Sequence, residues 1–289
     1  MTRCIYLALA TTLLGCTDNE DKQSTPDSGV YTDCLLKNPD ESGPTDPYDV
    51  GDIRRIDVPG QFDKAITVYG LTMVAKDDVD DDFLRAVGNT IVEIFPDDVI
   101  AAQEQSDILR NLHRYKTTIP VFAGGESGID EGAIESIEGE VSVCDLIFQD
   151  TEAGQAMEVV EHILHHVTNI GLHATWPDQW GLNQESTLYS AMKEAQNSGV
   201  YNTHDYDEID EPGIKNRILL QEYAYWIVST HWDIQQNYGP NIEEWTASTP
   251  ALLNQHNSMA EALINASVDR TMRAPSESSL VGFSNWETP

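Results

Sequence analysis

The sequence predicts an α+β fold, with a small N-terminal sheet and its helices in residues 51–150 and a mainly helical half in residues 151–289. Three observations carry this. Short apolar runs before Asp150 alternate and are β-branched, as half-buried strands require. After Asp150 the apolar spacing is that of amphipathic helices. A hydrophobic share of 40% over 289 residues is enough for one core, or for two closely packed halves.

In chain order, Met1-Thr2-Arg3 and an apolar run from Cys4 to Leu14, too short to span a bilayer, describe a signal peptide over residues 1–15. Leu13-Leu14-Gly15-Cys16 resembles a bacterial lipobox, which implies a lipidated Cys16 and a place in the bacterial cell envelope, outside the cytoplasm and held to the membrane by lipid. Ordinary secretion with a free Cys16 thiol is the alternative. Residues 16–50, rich in Asp, Glu, Ser, Thr, Pro and Gly, read as a disordered tether.

The domain follows over residues 51–289. Ala65 to Val74 reads as a strand, and the acidic turn Lys76 to Asp82 leads into a helix from Asp81 to Phe95. A helix over Val99 to Leu112, a strand from Thr117 to Ala123 before Gly124-Gly125, and a strand from Val141 to Phe148 complete the first half. Helices are then expected over Gly154 to Ile170, Glu185 to Asn197, Lys215 to Tyr238 and Thr249 to Ala266. Cys34 and Cys144 remain in the folded part, either paired or as a mobile and a buried thiol.

With 49 acidic against 16 basic side chains the net charge is −33, which repels nucleic acid and anionic lipid surfaces. The segment Asp205 to Glu211 is dense in hard oxygen ligands but lacks the glycine of an EF-hand loop, and reads as a solvated acidic loop. No Gly-x-Ser-x-Gly sequence is present, and Gly124, Gly125 and Gly128 have no phosphate-loop lysine.

Chemistry concentrates in Glu161-His162-Ile163-Leu164-His165-His166. At about 100° per residue, Glu161, His165, His162 and His166 share one arc of a helix, opposite an apolar stripe. Histidines at i, i+3 or i+4 can grip one zinc ion through neutral imidazoles; a solvated polar face is the plain alternative. The glutamate of His-Glu-x-x-His is absent, because position 163 is Ile. Glu222 stands in the apolar run Ile218 to Val228, where a carboxylate needs a metal, a cation or good donors. It is the candidate third ligand beside His162, His165 and His166, with a salt bridge to Arg217 or Lys193 as the alternative.

The run from Glu161 to His165, continued by Ile170-Gly171-Leu172-His173, Trp176-Pro177, Trp180-Gly181 and later by Glu222-Tyr223, Glu244-Trp245 and Thr249-Pro250, resembles an uncharacterised group of microbial zincin-like proteins. The resemblance covers roughly residues 66–264. It implies a zincin-like fold, with a small sheet over an active-site helix and later helices below. It also implies one Zn ion and hydrolysis of a peptide or protein substrate by a metal-activated water. Glu161, the only carboxylate on the histidine face, is then the catalytic base, and His165 its rival. A non-catalytic metal-binding or structural surface lipoprotein of the same fold is the other expectation.

Overall fold

The computed structural model describes residues 33–58, 61–151, 153–240 and 242–287. The signal peptide, Cys16 and the tether as far as residue 32 lie outside the described residues. The fold is α+β, built on a five-stranded mixed sheet: β1 (Arg54–Arg55), β2 (Lys64–Val68), β3 (Leu71–Ala75), β4 (Thr118–Ala123) and β5 (Ile147–Gln149), in that spatial order. The first three strands pair antiparallel, and β3–β4 and β4–β5 pair parallel. Two helices, α1 (Asp81–Ile94) and α2 (Ala102–Arg114), make the crossover from β3 to β4, as a parallel pair needs.

The expected single strand from Ala65 to Val74 is a hairpin. Tyr69 and Gly70 both take positive φ, 52° and 84°, and turn the chain between β2 and β3. Two left-handed residues match the twist of paired strands. Gly70 also sits where a Cβ would come within 2.8 Å of His113. The expected strand from Val141 to Phe148 narrows to β5, with Ser142 and Val143 held by isolated bridges.

Both sheet faces are covered. Ile66, Met73, Ile119 and Val121 join the main core with α1, α2 and the later helices, while Ala65, Val74 and Phe122 pack with Phe62 and Ile134 from the short helix α3 (Glu131–Glu135). The histidine helix α4 (Gln155–His166) packs against β5 and against the long helix α8 (Pro212–His231). It runs into a π turn, Val167–Leu172, and then α5 (His173–Thr175). Pro177 disfavours helical geometry at Trp176 and opens α6 (Pro177–Trp180). Gly171 brings this turn onto α2, since a Cβ there would meet Ile108 at 2.8 Å.

The remaining helices are α7 (Thr187–Ser198), α8 (Pro212–His231), α9 (Gln235–Tyr238), α10 (Pro250–His256), α11 (Ser258–Ala266), α12 (Val268–Thr271) and α13 (Glu277–Gly282). The helix expected over Lys215 to Tyr238 stops at His231, because Asp233 takes a left-handed conformation, and the one over Thr249 to Ala266 breaks at Asn257, whose side chain caps α11. Every residue of α8 from Ile218 to Thr230 is buried.

The tether expectation is corrected over residues 33–50. Asp33 pairs with Arg217, Cys34 is disulfide-bonded to Cys144, Leu35 bridges Val143, and Val50 bridges Val68. Polar composition kept this segment from looking structured; backbone pairing and the disulfide fix it to the body.

Candidate metal centre

Helix α4 turns its polar arc inward, against α8 and the loop before β5. His165 is only 1% exposed, His166 is fully buried, and Glu222 on α8 is 8% exposed. An imidazole face that the sequence leaves between solvent and ligand is therefore enclosed, so each ring nitrogen needs a partner.

His166 has both of its nitrogens engaged by backbone. Its Nδ1–H donates to the His162 carbonyl (2.7 Å) and its Nε2 accepts from the Cys144 N–H (3.0 Å). That fixes one neutral tautomer and leaves no lone pair, and burial lowers its pKa to about 4. The expectation that His166 ligates a metal is thus not met by its geometry: it is a satisfied core histidine.

His165 and His162 are arranged differently. Nδ1 of His165 lies 2.9 Å from Asp145 Oδ2, and its Nε2 3.6 Å from Glu222 Oε2. His162 repeats the pattern, with Nε2 3.6 Å from the same Asp145 oxygen and Nδ1 3.2 Å from Glu158 Oε1. The groups form an alternating row: Glu158, His162, Asp145, His165, Glu222. The Phe148 N–H holds Glu158 by its Oε1 (2.8 Å), and the Leu146 N–H holds Asp145 (2.8 Å). Asn169 Nδ2 donates to Gln221 Oε1 (2.6 Å), which sets the Gln221 amide 3.3 Å from His165 Nδ1.

Among the described residues, two groups offer donor atoms all within 4.8 Å of one another: Asp145, His162 and His165, and then Glu161, His165 and Glu222. Glu222 does reach the histidine helix, at His165 and Glu161, and not at His162 or His166. The alternative salt bridge does not form, since Arg217 pairs with Asp33 and Lys193 bonds Gln196. Glu161 stands beside Glu222, a half-buried carboxyl rather than a solitary base on an open face.

Electrostatics follow from the row. Burial alone pushes both histidines toward neutrality, but Glu158 and Asp145 raise His162 well above its usual value, and Glu222 and Asp145 raise His165 to about 10. Burial likewise works to raise Asp145, and the two imidazoles overcome it and lower the value. Burial first and Glu222 second push Glu161 up to about 8. The rings therefore hold protons where a divalent ion would compete for the same lone pairs.

Asp145 and Glu158 escaped the sequence reading. Asp145 sits in the apolar run Val141 to Phe148, where the argument applied to Glu222 would have singled it out. Glu158 precedes His162 by the same four residues that separate Glu161 from His165 and lies 3.2 Å from it, so Glu161 is not the only carboxylate on the histidine face, contrary to expectation.

Comparison with known proteins finds no match: no protein-family model, no curated protein and no solved structure is similar to the chain.

Proposed function

We propose that the protein is a lipid-anchored metalloprotein of the cell envelope, with one zinc ion held by His162, His165 and Asp145, and that it hydrolyses peptide bonds. The observation that carries the reading is the row of ring nitrogens. Each histidine turns one nitrogen toward Asp145 and the other toward a separate carboxylate, Glu158 or Glu222. Two imidazoles and one carboxylate form a ligand set that suits hydrolytic zinc.

In this reading Glu158, 3.2 Å from His162 Nδ1, and Glu222, 3.6 Å from His165 Nε2, stand behind the two rings and orient them electrostatically. A three-ligand ion, when bound, supplies an acidified water and polarises a substrate carbonyl. Glu161, on the same helix face, keeps the acid–base role. The Cys34–Cys144 disulfide supports an oxidising compartment, in line with the lipobox-like Leu13 to Cys16. Peptide bonds as substrate, and a zincin-like fold, rest on the motifs from Glu161 to Glu222.

One observation favours the second reading, a metal-binding lipoprotein without catalysis: the side chains of His162 and Asp145 are only 12% and 20% exposed, which leaves a substrate little surface. The experiment strips the protein with chelator, reloads it with Zn²⁺, and follows cleavage of unfolded protein substrates. The expected result is cleavage that returns with zinc and is lost in Asp145→Asn. Stoichiometric zinc without cleavage leaves the second reading; no zinc uptake removes both.

A further inference from the structure

The face of His165 opposite Asp145 is not explained by one ion. Its Nε2 is enclosed and has no hydrogen-bond partner, with Glu222 Oε2 at 3.6 Å. Glu161 brings a second carboxylate into the same space. Tyr225, three residues after Glu222 and so on the same face of α8, is fully buried; its hydroxyl is enclosed beside Gln235 and Glu161 and in the field of Glu222. Its ring stands edge-on to His165 with centroids 6.1 Å apart.

Two carboxylates side by side in a buried space repel each other, and a shared proton or a cation between them relieves the repulsion.

We propose that Glu161, Glu222, Nε2 of His165 and the Tyr225 hydroxyl form a second cation site, so that His165 bridges two divalent ions through its two ring nitrogens. This rests on the first site holding its ion at His165 Nδ1, and a filled second site takes Glu161 out of the acid–base role and makes it a ligand. The second donor set, oxygen-rich with one nitrogen, suits a harder divalent ion than the first. On its binding the His165 Nε2–H bond breaks, a bond from Nε2 to the ion forms, and the proton passes to solvent.

The test uses tag-free chain, stripped with chelator, titrated with Cu²⁺ and Zn²⁺ and desalted before elemental analysis. Two equivalents are expected for the wild type and one for Glu222→Gln. Electron paramagnetic resonance of the fully copper-loaded wild type should give much less signal per copper than the singly loaded protein, because the shared ring couples the two spins. A wild type that stops at one equivalent overturns the second site and leaves the first. Two equivalents with the full signal of uncoupled copper overturn the bridge through His165. A wild type that takes up no metal overturns both sites, and the wild-type measurements need no variant to fold.

Discussion

His166 and Glu244 show how much a single side chain decides here. His166 is the histidine that a spacing argument places among the ligands and that the backbone claims instead. His166→Phe fills the space but leaves the buried Cys144 N–H without an acceptor, a loss of about 1–3 kcal/mol. Urea unfolding should report that loss while metal content stays at the wild-type level; unchanged stability with lost metal would return His166 to the ligand set. Glu244 accepts from Tyr206 Oη–H (2.8 Å) and Trp226 Nε1–H (3.1 Å). Burial and Glu222 nevertheless push its pKa from 4.5 up to about 7. The folded state holds this proton more tightly than the unfolded chain does. Its stabilising contribution is therefore complete below about 4.5 and is lost as pH rises through about 7. The span is on the order of 3 kcal/mol. Glu244→Gln keeps the acceptor oxygen and removes the ionisation, so its melting temperature should exceed that of the wild type at pH 8 and converge with it near pH 5. Parallel profiles would show that Glu244 does not titrate in that window.

At the scale of elements, the segment from Asp33 to Val50 is held to the body by backbone pairing, the Asp33–Arg217 pair and a covalent tie. Cys34 and Cys144 are 110 residues apart in sequence, and closing a loop of that length restricts the unfolded chain by about 4–5 kcal/mol. Replacing both cysteines by serine should lower guanidinium stability by that order, and reductant should do the same to the wild type; no change in either would mean that the pair contributes nothing. The elements also show what was legible beforehand. Periodicity found α1, α2, α4 and α7 within a few residues, because each turns an apolar side to the core, and β4 was found as a short apolar run buried on both faces. It missed what depends on backbone conformation: the Tyr69-Gly70 turn inside an unbroken β-like run, the left-handed Asp233 that ends α8, and the break at Asn257. Nor does periodicity distinguish a polar helix face in water from one folded inward. Glu222 was visible because a carboxylate in an apolar helix is costly; the same cost applies to Asp145 between Cys144 and Leu146, in a run read only as a strand.

Across the whole molecule, the centre lies where the two halves predicted from sequence meet. The loop before β5 brings Asp145 from the sheet-containing half, while α4 brings the histidines and α8 brings Glu222 from the helical half. An ion bound between Asp145 and α4 would tie the two together and raise stability by mass action, since it would bind the folded state alone. Buried imidazoles and carboxylates gathered around His165 are the reason to expect an ion at all. The central claim is that the ion sits between His162, His165 and Asp145. Anomalous diffraction at the zinc edge, from crystals of protein purified without chelator, tests it most directly. The account predicts a peak about 2.0–2.2 Å from His162 Nε2, His165 Nδ1 and Asp145 Oδ2; a zinc-soaked crystal with no peak there, and His165 Nδ1 still hydrogen-bonded to Asp145, would contradict it.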